Sequence, residues 1–422
     1  MEHLLFAGYL VLFAWAVTRI RFFTQSGLSS YQLIILFLLK VMAGMLYGWI
    51  GIFYADVMNM LDTWAFHKES LVEYQLLLRH PAEFFLSLFR SSYENGYGGF
   101  LGEENSWWND LHGNFIIKMM ALFNVLSLGN YYINVIFYSF LTIGGPIALY
   151  RVMKDVFPQQ KFAVLCATFL IPSFLFWTSG MHKDGLLFLG QAVIIYHFYF
   201  GLKQARFGWR RLASILLAFV LILAVRNYVV VILLPALLAW LVAQKTSLRP
   251  ARVFMGIYAL FIFFFFTAHF LFPKLNLPNA VAEKQQQFLK LRGNSAVPTQ
   301  DLKPTFTSFI ANAPQALNLT VLRPYPSDVK HLLALAAAVE TYLLLILFVV
   351  FLFLHVKLRP ANPFLLFCLF FSFSILMTIG YTVHFIGAIV RYRSFVLPLL
   401  MVPVIAQLNW KKIGRHVLDI NK

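Results

Sequence analysis

Residues 212–244 read LASILLAFVLILAVRNYVVVILLPALLAWLVAQ, an apolar run interrupted near its middle by Arg226 and Asn227. A bilayer core about 30 Å thick is crossed by about 20 apolar residues in a helix. The run is too long for one crossing and fits two, 211–226 and 228–244, with Arg226 and Asn227 at the tip of a hairpin. In hydrocarbon every backbone N–H and C=O must be paired within its own segment, so such runs are helices. The same pattern recurs outward along the chain, at 3–19, 31–53, 131–150, 161–179, 185–204, 253–272, 331–355, 362–381 and 393–410. These spans predict an all-α, polytopic integral membrane protein. It is read as one transmembrane domain over 1–422 with about eleven crossings, in a range of about 10–13.

Composition agrees. The chain is 60% hydrophobic and 12% charged, with mean hydropathy +0.73, whereas soluble domains are about half apolar and a quarter charged. A net charge of +17 raises nucleic acid as a partner, but the basic residues stand at the ends of spans rather than on one face. Nucleic acid is therefore excluded and membrane lipid is the expected surrounding. Cys166 and Cys368 lie inside apolar runs and match no disulfide or metal spacing. No clear signal-peptide cleavage site follows the first run, so 3–19 is expected to be a retained helix.

The Lys and Arg clusters orient the chain. Arg19 and Arg21, Arg151 and Lys154, Lys203 to Arg211, Lys245 to Arg252, Lys357 and Arg359, and Lys411 to Arg415 occupy every second connection. Cytoplasmic loops carry such an excess. The N-terminus is then external and the C-terminus cytoplasmic, as in a multi-pass protein of a bacterial inner (plasma) membrane. Two long segments, 54–130 and 273–330, fall on the external side, where long loops tend to carry function. Within the first, 115–128 reads as a re-entrant or interfacial helix, and 71–90 as an amphipathic surface helix. Trp107 and Trp108 suit headgroup level.

Several polar residues call for a reason. Asp56 and Asp62 follow the second span in GIFYADVMNMLDTWAF. A carboxylate there can act as a general base or hold a divalent cation; it is also what an ordinary charged helix end would show. In PSFLFWTSGMHKDGLLFL a short turn pins His182, Lys183 and Asp184 at the mouth of a hairpin. Lys183 there can bind phosphate as a point charge, and Asp184 can cap the next helix. Arg226 at membrane depth calls for a partner. Arg323, Arg391 and Arg393 share the external side, and the last two, two residues apart, point to opposite sides of a helix. Glu340, inside a span, is either functional or a helix–helix hydrogen bond. Lys40 can simply snorkel.

No nucleotide-binding glycine pattern, zinc motif or nucleophile elbow is present. Acids near Lys and Arg at membrane level form the inventory for a lipid-linked phosphate substrate: cations for the phosphate and a carboxylate for the acceptor hydroxyl.

The stretches FWTSGMHKDGLL, VRNYVVVILLPAL, LRPYPSDVKHLLALAAAVE and VRYRSFVLPLL resemble segments of polytopic proteins from exopolysaccharide and O-antigen assembly. The chain is similar to GT-C-type membrane glycosyltransferases and to EpsG- or Wzy-like polymerases. In GT-C enzymes a long first external loop opens with an acid, and Asp56 stands in that position. The chain departs from them in that the acid follows the second span, and no adjacent acidic pair is present. The resemblance implies a polyprenyl-linked sugar donor and a saccharide or lipid acceptor. Asp56 and Asp62 would be the catalytic acids. Lys183, Arg226, Arg323 and Arg391 or Arg393 would hold phosphate, with His182, Asp184, Asn227 and Glu340 behind them. No cofactor is implied beyond a divalent cation. The rival reading is a transporter or flippase of lipid-linked saccharide, which needs the cations but no base and is expected to show two related halves. No internal repeat is evident.

Overall fold

A computed structural model describes residues 2–53, 62–90, 106–273, 275–356, 362–410 and 412–413. The described residues are helical apart from turns, loops and two isolated bridges, Ala296–Phe385 and His355–Leu408. Among the described residues seven helices are long and apolar enough to cross a membrane, or up to nine if each of two bent pairs is one span. This is consistent with a multi-pass membrane protein. Pro250–Leu271 and Leu332–Phe353 have only 11% and 17% of their apolar windows buried within the chain. In water such faces would drive aggregation, while lipid solvates them.

The difference from about eleven crossings has physical causes. The first run forms only Glu2–Ala16, 15 residues or about 22 Å, short of the apolar core. The expected spans at 161–179 and 393–410 are each broken. Lys161–Phe169 and Pro172–Ser179 are bent by 50°, and Ile386–Ser394 and Leu397–Ala406 by 63°. A proline opens the second half of each pair, Pro172 and Pro398, and removes a donor that a continuous helix needs. Residues Trp209–Lys245 are two helices that meet at a kink and do not form one continuous helix. The backbone leaves the helical region at Arg226, with φ −154° and ψ 87°. The break falls where Arg226 and Asn227 interrupt the run and leaves two legs, 209–225 and 227–245.

The chain forms two compact units, 1–152 with 174–230, and 153–173 with 231–422. In the first, the Ser30–Phe53 span packs through small residues, which let backbones approach closely in lipid. A Cβ on Gly44 would stand 2.6 Å from the Ser179 carbonyl oxygen, and Gly48 lies under the Tyr131 ring. The amphipathic segment expected at 71–90 begins earlier, as Asp62–Arg79, and continues as Pro81–Leu86. Trp107–Ser127 lies along it. Buried Lys118 joins the two through Glu73 at 2.7 Å and Ser87 Oγ at 2.8 Å, its ammonium over the Phe84 ring. Further along, Asn124 donates to Ser70 Oγ and accepts from Asn134, tying both helices to Tyr131–Thr142. Gly129, at φ +81°, makes the sharp handover before Asn130, whose side chain caps that helix by accepting from Tyr132 and Ile133 N–H groups.

In the second unit Trp240 packs on Phe364 and Phe367, with Phe371 beside them. The segment 273–330 holds two helices, Leu277–Lys290 and Phe306–Leu317. Phe306–Leu317 lies directly against Pro363–Thr382. A Cβ on Gly380 would collide with the Ala316 backbone, and the Tyr381 hydroxyl donates to the Phe309 carbonyl at 2.9 Å.

Candidate functional site

The richest polar constellation in the first unit is built on the tight turn between Pro172–Ser179 and Lys183–Lys203. Three neighbours hold the turn by its backbone. Thr63 Oγ1 donates to the Met181 carbonyl at 3.2 Å, the Tyr138 hydroxyl donates to the His182 carbonyl, and Lys40 donates to the Thr178 carbonyl at 2.8 Å. The fit leaves no room for side chains at its glycines. Gly180 lies on the Tyr47 ring, and a Cβ on Gly185 would stand 2.5 Å from the Thr178 oxygen.

From this frame runs a chain of charges. Arg226 donates to Asp184 Oδ1 at 2.7 Å and to the Tyr228 hydroxyl at 3.1 Å. Asp184 Oδ2 stands 3.6 Å from His182 Nδ1, and His182 Nε2 stands 3.4 Å from Asp62 Oδ2. The side chains of Asp184, His182 and Arg226 are 0%, 4% and 8% exposed, while that of Asp62 is 57% exposed. His182 Nδ1 accepts from the Lys183 N–H at 2.8 Å, so the proton of a neutral ring sits on Nε2 and faces Asp62. Phe66, one turn beyond Asp62, lies against the His182 ring, with the Lys183 ammonium 6.0 Å from its centre. The array ends in the exposed Asp62 carboxylate beside the His182 imidazole, with Lys183 over the neighbouring Phe66 ring.

One expectation changes. The cap of Lys183–Lys203 is His182, not Asp184; Asp184 lies two residues further in, where Arg226 draws it into an ion pair. Arg226 has the partner its depth requires, and its guanidinium is engaged by Asp184 and Tyr228. Asn227 is half-buried beside the break. Asp56 lies outside the described residues.

The second unit holds the other charged residues. Glu340, in Leu332–Phe353, accepts from Ser173 N–H and Oγ, both at 2.5 Å. A carboxylate on a helix N-terminus satisfies a donor with no partner inside the helix. Arg393 is 4% exposed and donates to the Thr320 and Arg323 carbonyls, both at 2.8 Å, and to Thr341 Oγ1. It thus closes the C-terminal end of the turn Asn318–Leu322. Arg323 pairs with Asp328 at 3.0 Å and lies over Tyr325. Arg391 is half-buried beside Tyr392. Thr63 falls on the same polar stripe of the sequence as Asp56 and Asp62, whereas nothing local in the sequence marks Phe66 or Tyr138. Only the proline before Ser173 hinted at a helix start in need of a cap.

Outside the spans, burial pushes three histidines, His67, His331 and His384, below the ordinary value of 6.5. At His67 the backbone of Gly129 opposes the effect. Among the described residues no group of three His, Cys, Asp or Glu side chains is arranged to hold a metal ion. No known protein-family model matches the chain, and neither the curated proteins nor the solved structures contain a match to it.

Proposed function

We propose that this protein is a membrane glycosyltransferase or polysaccharide polymerase. Its substrate would be a polyprenyl-phosphate-linked sugar, used at the external face of a bacterial inner membrane. One observation carries the reading: Asp62, an exposed carboxylate, faces the Nε2–H of a buried histidine whose turn also presents Lys183. Asp62 takes the proton of the acceptor hydroxyl as the acceptor oxygen bonds to the anomeric carbon. The bond from that carbon to the phosphate oxygen breaks, and its electron pair leaves with the polyprenyl phosphate. His182 orients Asp62, and Lys183 offers its charge to the leaving phosphate, where charge develops. Arg226, engaged by Asp184, holds the turn instead of binding substrate. A transporter of lipid-linked saccharide would have no use for the exposed base.

The assay is transfer of labelled sugar from a polyprenyl donor in proteoliposomes, run beside donor binding. Asp62→Asn should keep donor binding and lower turnover by about 10² to 10⁴, the usual worth of a general base. Lys183→Ala should weaken donor binding. Normal turnover in Asp62→Asn with a collapse in Asp56→Asn would move the base to Asp56. Movement of the lipid-linked sugar across the bilayer without transfer would establish the transporter. Sidedness is tested separately, by labelling Gln286→Cys with an impermeant reagent in sealed cells. Reaction only after the membrane is opened would reverse the orientation.

A further inference from the structure

Lys40 lies ten residues into the Ser30–Phe53 span and is 4% exposed. Its ammonium donates to the Thr178 carbonyl at 2.8 Å and reaches Ser179 Oγ at 3.4 Å. Among the described residues no carboxylate pairs with it. A cation placed in an apolar span without a counter-ion is expensive, and such residues tend to serve function. Snorkelling does not describe it, because the stem ends on protein backbone and not at a membrane surface.

The acceptor explains the placement. Thr178 is the penultimate residue of Pro172–Ser179, where carbonyls have no partner within the helix and a positive charge is favoured. Four residues after Lys40, Gly44 brings the span's backbone against the Ser179 carbonyl; three further on, Tyr47 lies under Gly180. Lys40, Gly44 and Tyr47 share one helix face, and that face is the bed of residues 178–180. Two residues later comes His182, whose ring meets Asp62. The single charge in this bed grips the last helical turn before the site.

We propose that Lys40 is a positioning residue: its ammonium, held on the Thr178 carbonyl, sets where the 180–184 turn presents His182 and Lys183. The part of this that concerns turnover rests on the transferase reading above; the part that concerns the turn does not. The two are tested by separate arms.

In the first arm, Lys183→Cys is labelled by a maleimide in the full-length protein, with Cys166 and Cys368 changed to Ala, and with or without Lys40→Met. Methionine keeps the length of the stem and removes the charge. Its melting temperature should hold or rise, since a buried charge is lost, while the labelling rate changes by about fivefold or more as the turn loosens. In the second arm, Lys40→Met alone should lower kcat by roughly 10- to 100-fold, the worth of one charge-assisted hydrogen bond, and by more than KM changes. Lys40→Arg, which keeps a charged donor, should restore both readouts in part. An unchanged labelling rate in Lys40→Met overturns the proposal, and so does a melting temperature that falls in Lys40→Met and Lys40→Arg alike. If the unmutated protein transfers no sugar, the transferase reading fails and the labelling arm alone decides the role of Lys40.

Discussion

In the first unit the buried polar side chains of Arg226, Asp184 and His182 lead outward to Asp62, a carboxylate more than half exposed. In the second unit Glu340 and Arg393 are just as deeply placed, yet they end on Ser173 and on the carbonyls of Thr320 and Arg323. Both arrangements satisfy charges that an apolar surrounding penalises. Only the first ends on a titratable side chain that is more than half exposed. The comparison teaches that depth and charge do not mark a site in a membrane protein; what matters is whether the chain of partners terminates in backbone or in an accessible side chain.

The Asp62→Asn loss described above is the largest effect expected, and the corresponding change in the second unit, Glu340→Gln, should leave turnover within a few-fold. A comparable collapse in both would erase the distinction. Next comes the pair that supports the first unit. Arg226→Met removes the guanidinium from buried Asp184 and should destabilise by about 3–5 kcal/mol, while Arg226→Met with Asp184→Leu should recover most of that. Thermal unfolding in detergent measures both. An Arg226→Met protein of native stability that has lost donor binding would return Arg226 to the phosphate.

Glu340→Gln should cost about 1–2 kcal/mol by the same measurement, because the amide still accepts from Ser173 but without charge. The smallest effect is the share of the pH dependence that comes from His67 in the first unit. Burial lowers the His67 pKa from 6.5, so the unfolded chain takes up this proton at a higher pH than the native one. Its contribution to stability is therefore complete above about pH 6.5 and is lost as pH falls below it. Melting temperatures at about pH 7.5 and 5.5 should differ less in His67→Phe than in the unmutated protein; an equal difference would remove His67 from the account.

The membrane-crossing helices were legible because hydropathy follows from composition over a window of about 20 residues. Pro250–Leu271 and Leu332–Phe353 fall almost where the apolar runs do. The bends were missed because hydropathy over a long window does not register a single proline, and Pro172 and Pro398 stand inside apolar runs. Arg226 could be read as a break because two polar residues stand inside an apolar run. Its partner Asp184 is 42 residues away, and Glu340 lies 167 residues from Ser173. No local pattern encodes such pairings. Lys40 shows the same limit: its position in a span was plain, but the carbonyl it grips belongs to residue 178.

The contact at Gly380 has a mechanical meaning. With no side chain between them, the Pro363–Thr382 span and the Phe306–Leu317 helix meet backbone to backbone, and Tyr381 pins the joint through Phe309. Spans tilt when the bilayer thins, at a modest cost per ångström of mismatch. A tilt of this one would carry the Phe306–Leu317 helix with it, so the joint would couple bilayer thickness to the position of that helix.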